Sequence, residues 1–371
     1  MATAKGIWGT IMKLRLSTML CIVMIAVLQL YAHNTDMETI NMEAPLHIVL
    51  SDNLEYLRKL PSGSIDLIYI DPPFNTGRTQ IRKRFHTSNS VRIADSSFGY
   101  EDSFDDLVGF LEPRMREAYK VLKTNGSLFF HLDYREIHYC KVMLDKIFGR
   151  ASFINEIIWA YDYGARSKKK WSAKHDNILW YAKNPECYTF NYDDMDRIPY
   201  MAPSLVGPEK AARGKTPTDV WWHTIVSPNS HEKTGYATQK PRGVIDRIVK
   251  IHSKEGDVLL DFFAGSGTFG ESAYTLGRRC ILVDNNPDAI AVMKRRFLGK
   301  DVTWENCDGI VPCESTRINV KEEPESSPDG SVREMSTTDF RNRCNPCGET
   351  VSRKRRGRPK RKESDAQMKL L

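Results

Sequence analysis

The sequence has little of what marks a small disulfide-stapled domain or a multi-span membrane protein. Only eight of its 371 residues are cysteine, and they are scattered without framework spacing, as in reduced intracellular proteins. It has a single long apolar run, Leu16–Ala32, whose 17 residues are marginal for a membrane span. Hydrophobic residues make up 41% and charged residues 27%, a balance that excludes wholesale disorder and indicates a chain able to bury a sizeable core.

A surplus of positive charge is missing from most of the chain. The formal net charge is +7, but residues 353–362 alone hold eight cations, so the remainder carries a net charge of −1. A nearly neutral body with one concentrated basic segment indicates a local contact with a polyanion rather than a basic surface.

A convincing metal-ligand pattern is also missing. Cys344 and Cys347 have the spacing of a metal knuckle, and Cys307 and Cys313 could supply two more ligands. Thirty residues of polar linker separate Cys313 from Cys344, so the sequence favours a protein without a metal.

The amino terminus has the character of a targeting segment. Lys13 and Arg15 precede the apolar run, as in a secretory signal or a short anchor, but Leu30–Ala32 is a poor cleavage site. Met42 stands directly before the first patterned strand. We therefore expect residues 1–42 to be a dispensable extension, an organelle-targeting segment or a gene-model artefact, rather than a secretion signal.

Short apolar runs alternate with amphipathic segments over residues 43–310. The pattern predicts strands at 46–50, 65–70, 127–132, 153–159, 258–262, 280–283 and 301–304, and helices at 54–60, 103–122, 135–148, 242–252, 269–276 and 287–298. Such alternation predicts an α/β domain with a mostly parallel sheet covered on both faces. Residues 76–100 lack a clear period and predict a mobile loop, and residues 311–371 predict a disordered tail.

The regular pattern breaks down between residues 161 and 236. This insertion mixes tryptophans such as Trp171 with cations such as Lys168, Lys169 and Lys170. Any single tryptophan there is best explained by packing on the sheet, but the segment as a whole suits a phosphate backbone and exposed bases.

A glycine loop follows the strand predicted at 258–262. Gly265 and Gly267 lie between that strand and a helix, and Asp284 follows 17 residues after Gly267 at the end of the next strand. Glycines let a ligand approach the backbone, and a carboxylate at that position can accept both ribose hydroxyls. The third glycine of a dinucleotide fingerprint is missing from its usual place, which favours a nucleoside without a pyrophosphate.

A second motif ends the strand predicted at 65–70. Asp71-Pro72-Pro73-Phe74 must leave the sheet, because two prolines cannot continue a central strand. A carboxylate, a proline-flanked carbonyl and an aromatic ring suit a planar ligand that bears an NH₂ group. The alternative is a strand exit whose aspartate caps a helix, but the glycine loop on the same sheet edge favours the ligand site.

With these motifs, residues 43–300 resemble the β-class DNA amino-methyltransferases, which methylate adenine N6 or cytosine N4 with S-adenosylmethionine. The resemblance is carried by residues 71–75, by residues 261–268 and by residues 238–241, in the motif order of that class. It implies a Rossmann-like fold with a mostly parallel, seven-stranded sheet, and a target-recognition region at 161–236. Phenylalanine at 74 replaces the commoner tyrosine of the family.

The resemblance also implies roles for individual residues. The catalytic segment is Asp71, Pro72, Pro73 and Phe74, and the cofactor site comprises Asp52, Thr238, Gln239, Lys240, Asp261, Phe263, Gly265, Ser266, Gly267, Thr268, Asp284 and Asn285. Hydrogen bonds from the target amine to the Asp71 carboxylate and the Pro72 carbonyl would free its lone pair for attack on the cofactor methyl group. The base must first be flipped out of the duplex. The initial aspartate favours N6 of adenine over N4 of cytosine.

The basic tail resembles an AT-hook. Arg356-Gly357-Arg358-Pro359 is thin enough for the minor groove of A·T-rich DNA, and it is also compatible with a nuclear localisation signal. We expect a DNA methyltransferase that uses S-adenosylmethionine and no metal, acts on double-stranded DNA, and resides in the nucleus, with an organelle or a membrane as the alternative location. The oligomeric state stays open, a homodimer included. RNA or protein-glutamine methylation, or an inactive chromatin-binding protein, are the alternative functions.

Overall fold

The computed structural model describes residues 40 and 42–313, apart from 89–90, 165, 228–229 and 237, and between 79 and 101 it describes the backbone only. The apolar run Leu16–Ala32, the pair Cys344 and Cys347 and the AT-hook-like segment 356–359 lie outside the described residues. Within the described part of the chain, no helix is long and apolar enough to cross a membrane.

A nine-stranded sheet and a separate hairpin contain the strands of the described residues. The strands are β1 (Leu46–Leu50), β2 (Ile65–Ile70), β3 (Arg78–Ser88), β4 (Val91–Asp102), β5 (Leu122–Leu132), β6 (Phe153–Ala160), β7 (His175–Ala182), β8 (Val220–Trp222), β9 (Val258–Asp261), β10 (Arg279–Asp284) and β11 (Val302–Glu305). The large sheet has the order β11-β1-β10-β9-β2-β5-β7-β6-β8. Strand β7 is antiparallel to β5 and β6, and all other neighbours are parallel.

Helices cover both faces of this sheet. The α-helices of the described residues are α1 (Asn53–Leu57), α2 (Leu107–Val121), α3 (Ile137–Phe148), α4 (Pro208–Arg213), α5 (Arg242–His252), α6 (Thr268–Thr275) and α7 (Pro287–Arg296). Of these, α4 has no buried residue and does not pack on the sheet. One core cluster joins the sheet to α1, α2 and α3, and the other joins it to α5, α6 and α7. Ile68 belongs to the first cluster, whereas its neighbours Leu67 and Tyr69 belong to the second, because successive strand residues point to opposite faces.

The predicted mostly parallel, Rossmann-like sheet is confirmed, with two strands more than the family expectation. The bounds of β2 and α5 equal those predicted from the sequence. One of the additional strands, β8, is only three residues long and comes from the irregular insertion. The insertion also contains the buried strand β7, which the sequence did not predict.

The prediction of a loop over residues 76–100 is wrong. Strands β3 and β4 pair antiparallel, with Arg78 opposite Asp102 and Ser88 opposite Val91. The sequence of this segment lacks the sustained apolar–polar alternation that marks a half-buried strand.

Candidate active site

The candidate active site lies at the carboxyl edge of the sheet. Strands β1, β10, β9 and β2 are parallel neighbours, so the residues that follow them meet at one edge. A cavity of about 400 Å³ opens there. The predicted site residues that line it are Asp71, Pro73, Thr238, Lys240, Asp261, Phe263, Gly265, Ser266, Thr268, Asp284 and Asn285.

The glycine loop after β9 has a backbone that only glycine adopts easily. Gly265 and Gly267 have φ angles of 50° and 74°. A Cβ on Gly267 would stand 2.9 Å from Cγ of Met293, and one on Gly265 would stand 3.1 Å from the Tyr236 ring. Gly267 does not line the cavity, so its role in the structure is to begin α6 against Met293.

Asp284, at the end of β10, is hydrogen-bonded to this loop. Its Oδ2 accepts a hydrogen bond from the Gly265 N–H at 2.7 Å, and its Oδ1 accepts one from the Asn286 N–H at 2.9 Å. Burial raises the pKa of Asp284 to about 6, against the hydrogen bonds, which lower it. A carboxylate fixed by backbone N–H groups beside a glycine loop fits the diol of a nucleoside.

Asp261 adds a second buried carboxyl group to the cavity. It accepts a hydrogen bond from the Phe263 N–H at 3.0 Å. Burial raises the pKa of Asp261 well above its ordinary value, and the charges of Asp71 and Asp284 raise it further. Three carboxyl groups therefore converge on one pocket, an arrangement that favours a ligand with hydroxyl, amino or cationic groups.

The two oxygen atoms of the Asp71 carboxylate have different surroundings. Oδ2 is ion-paired with the Lys240 ammonium group, and both side chains are largely buried. Oδ1 is buried and has no hydrogen-bond partner among the described residues. Lys240 also lies 4.8 Å from the centre of the Phe74 ring. The pair leaves one anionic acceptor available to a donor from outside the protein.

A buried polar network stands behind Asp71. His131, in β5, places Nδ1 2.8 Å from the Tyr69 hydroxyl and 3.9 Å from Oδ1 of Asp71. Its Nε2 lies 3.3 Å from Oδ2 of Asp176, whose Oδ1 accepts a hydrogen bond from Tyr161 at 3.0 Å. This network was not predicted, and its only signal in the sequence was a histidine within the apolar run 128–132.

Shifts in pKa fix the protonation states of Tyr69 and Asp176 in this network. Burial raises the pKa of Tyr69 well above its ordinary value, so this phenol stays protonated. Burial works to raise the pKa of Asp176 as well, but the hydrogen bond and charge of His131, the charge of Lys240 and the Tyr161 hydroxyl hold it below its ordinary value. Asp176 is therefore ionised at neutral pH and orients the His131 ring.

Two predicted cofactor residues have structural contacts instead of lining the cavity. Asp52 accepts hydrogen bonds from Leu54 and Glu55 at the start of α1, and it pairs with Arg114 at 3.1 Å. The buried Gln239 accepts a hydrogen bond from Thr234 and donates one to the carbonyl oxygen of Glu232. Pro72 and Phe74 also lie outside the lining. The binding roles assigned to all these residues stay predictions.

Other lining residues were not predicted. Asn53 donates from Nδ2 to the Phe262 carbonyl at 2.8 Å and accepts a hydrogen bond from Arg114. Phe110 lies under the Arg114 guanidinium and beside Phe263, with 6.4 Å between the two ring centres. These residues extend the pocket with a flat apolar wall and an amide, which suits a nucleobase.

The pocket as a whole fits S-adenosylmethionine. The Asp284 carboxylate suits the ribose, the Phe263 and Phe110 rings suit the adenine, and the Gly265 loop gives room that a side chain would fill. Carboxyl groups at Asp71 and Asp261 suit a sulfonium and an amino group. No three His, Cys, Asp or Glu side chains among the described residues are grouped to hold a metal ion.

Comparison with known proteins gives one family. Residues 65–295 match the DNA methylase family, N6_N4_Mtase. The chain is 30% identical to type II methyltransferase M.HpaI of Haemophilus parainfluenzae over 253 residues, 67% of this chain and 73% of the relative. It is also 30% identical to DNA adenine methyltransferase YhdJ of Escherichia coli (strain K12), over 67% of this chain and 82% of the relative. A solved M1.HpyAVI–SAM complex is 21% identical, covering 68% of this chain and 98% of that one with a TM-score of 0.46.

Proposed function

The chain belongs to the DNA methylase family and is an S-adenosylmethionine-dependent methyltransferase of exocyclic amino groups in DNA, and we propose that its target is N6 of adenine. The observation that supports an amino group as the target is the buried Oδ1 of Asp71, an acceptor without a hydrogen-bond partner among the described residues. A buried carboxylate oxygen is costly without a hydrogen bond, so a donor that enters the cavity is bound there.

The amino group of a base is such a donor, and the site prepares it for reaction. Its nitrogen is a poor nucleophile because its lone pair is delocalised into the ring. Hydrogen bonds from the two N–H groups to Asp71 and to the Pro72 carbonyl draw the nitrogen out of conjugation and orient the lone pair. Phe74 stacks on the base, and Lys240 fixes the carboxylate that receives the amine. S-adenosylmethionine supplies the methyl group from its sulfonium.

The residues that would hold the cofactor lie beside those that would hold the base. Asp284 and the Gly265 loop would bind the nucleoside part, with Phe263 against its base, and Thr238 would contact the methionine part. The cavity lining joins these residues to Asp71 and Lys240 in a single pocket. Both substrates would therefore meet in this one pocket.

Adenine rather than cytosine is favoured by two observations. The proline segment begins with the carboxylate of Asp71 rather than with a serine, and the relative YhdJ is named a DNA adenine methyltransferase. Either amino group could donate to Asp71. A target inside a duplex must be flipped out, at a cost of about a few kcal/mol that stacking and phosphate contacts offset.

The basic tail would add a second contact with DNA. Arg356 and Arg358 would enter the minor groove of A·T-rich duplex, and the flanking cations would contact phosphates. A nuclear location follows from the same segment, and a homodimer stays open.

The product identifies the reaction. The protein is incubated with labelled S-adenosylmethionine and plasmid DNA, RNA or protein, and each acceptor is digested and analysed by mass spectrometry. The expected product is N6-methyladenine in DNA, formed by the wild type and absent with Asp71→Ala. N4-methylcytosine alone would overturn the choice of base, and label only in RNA or protein would overturn the choice of acceptor.

A further inference from the structure

The segment between β6 and β7 leaves and re-enters the sheet at the edge that carries the active site. Strand β6 is parallel to β8 and antiparallel to β7, so residues 161–174 all lie at its carboxyl edge. Asp176, the second residue of β7, contacts His131, which lies 3.9 Å from Asp71. The segment therefore stands beside the pocket proposed for the target base.

Side-chain hydrogen bonds close this segment into a compact turn. The Ser167 hydroxyl accepts from the backbone N–H groups of Lys169 and Lys170, at 3.1 and 3.3 Å. The Ser167 N–H donates to the Ser172 hydroxyl at 2.7 Å. Lys170 also places its ammonium group 5.9 Å from the Tyr134 ring, beyond the end of β5. The turn projects the four residues 168–171 from the sheet edge.

The projected residues form a basic and aromatic tip. The Trp171 side chain is 98% exposed, and Lys168, Lys169 and Lys170 are exposed as well. In the described part of the chain, these three lysines take part in no ion pair within 4.0 Å. An exposed tryptophan ring lacks the favourable free energy of burial that a partner can supply, and three adjacent cations suit an anionic partner.

We propose that Trp171 enters the DNA duplex at the position that the target base vacates, while Lys168, Lys169 and Lys170 contact the adjacent phosphates. This inference rests on the proposed function, because it requires a base that leaves the stack. Flipping breaks two stacking contacts and leaves a gap, and a flat ring can refill it. A ring on a closed turn loses little freedom when it inserts, and the lysines hold the turn against the backbone.

The test uses the full chain and a duplex of its own target site. Methylation mapping on plasmid DNA with the wild type gives that site. Two oligonucleotide duplexes of it are then compared, one with the target base paired and one with an abasic position opposite the target, which removes the need for a filling side chain. Trp171→Ala is compared with Leu298→Ala, which truncates another exposed apolar side chain, just after the carboxyl end of α7.

The expected result is selective. Trp171→Ala slows methylation of the paired duplex by roughly 10- to 100-fold, the range that one base–aromatic stack is worth. It stays within about threefold of the wild type on the abasic duplex, and Leu298→Ala changes neither rate. A Lys168→Ala, Lys169→Ala, Lys170→Ala variant lowers the salt slope of duplex binding by about two to three.

Each contrary result has its own meaning. Equal rates of Trp171→Ala and the wild type on the paired duplex would overturn the inference. Equal losses on both duplexes would also overturn it, because they would show that Trp171 supports something other than the gap. If the wild type methylates no DNA base at all, the proposed function fails, and the inference fails with it.

Discussion

The Lys240 ammonium group is ion-paired with Oδ2 of Asp71, 169 positions away in the chain. The pair joins the segment before α5 to the end of β2. It holds the carboxylate in one orientation, in which Oδ1 has no hydrogen-bond partner among the described residues. Lys240 is thereby part of the site that we propose to receive the base.

A Lys240→Met variant separates this position from a role in cofactor binding. Removal of the cation leaves the largely buried Asp71 without its fixed partner, so we expect methyl transfer to slow by about 10- to 100-fold. The dissociation constant for S-adenosylmethionine, measured by calorimetry, should change by less than about threefold. Lys240→Arg keeps the charge and should retain more activity. A large loss of cofactor affinity with an unchanged rate would instead assign Lys240 to the methionine group.

The affinity for S-adenosylmethionine should depend on pH through Asp284. Only the ionised carboxylate can accept two ribose O–H groups, and burial raises its pKa to about 6 in the free protein. Affinity is therefore full above that value and falls as the pH drops through it, by about tenfold per pH unit below. Calorimetry between about pH 5 and pH 8 tests this pH dependence, because a carboxyl group with such a pKa changes its charge over roughly that range. Asp284→Asn should bind weakly with a flat profile; a wild type as flat as the variant would contradict the assignment.

The His131 network should contribute stability at neutral pH. A His131→Leu change leaves the buried, ionised Asp176 without its main partner, so we expect a loss of about 2–4 kcal/mol in the free energy of unfolding at pH 7. The pKa of Asp176 lies below its ordinary value in the folded protein, so its contribution is present above that value and is lost as the pH falls. The difference between variant and wild type should narrow in acid.

Denaturant unfolding at several pH values measures that difference. His131→Asn, which keeps a donor for Asp176, serves as the control and should lose less. A loss that does not change with pH would show that only packing against Trp159 and Phe74 was removed.

The basic tail should add affinity for DNA without changing the chemistry. If about six of its eight cations meet phosphates, the salt slope of binding is steeper by about five for the full chain than for a chain that ends at Cys313. Binding to A·T-rich and G·C-rich duplexes across a salt series measures both the slope and the preference. Equal salt slopes for the two chains, with no preference for A·T-rich duplex, would indicate that the segment is only an import signal.

Periodicity and motif order made the sheet, its helices and the glycine loop predictable from the sequence. Strand β2 and helix α5 have dense apolar patterns bounded by proline or polar residues, and the bounds followed from them. Strand β7 was missed because a short apolar run inside an aromatic, cation-rich insertion does not differ from loop residues that pack on the sheet. The hairpin was missed because its pairing is local and its sequence does not alternate.

The contacts around Asp71 could not be read from the sequence in the same way. His131 and Asp176 lie on adjacent antiparallel strands, one of which was not predicted. Nothing in the local pattern tells whether Lys240 turns toward Asp71 or toward the cofactor, because the Asp71 side chain and the methionine group of the cofactor each carry a carboxylate. Such pairings depend on how distant elements meet, and this only the folded chain shows.

Single-turnover methyl transfer by Asp71→Asn tests whether Oδ1 of Asp71 receives the target amine. The amide keeps the shape of the side chain but removes the charge, so the rate should fall by about two to three decades, or about 2–4 kcal/mol in the transition state. Cofactor affinity, measured on the same protein preparation, should stay nearly unchanged, because Asp284 and the Gly265 loop are intact. A rate close to that of the wild type would contradict the account.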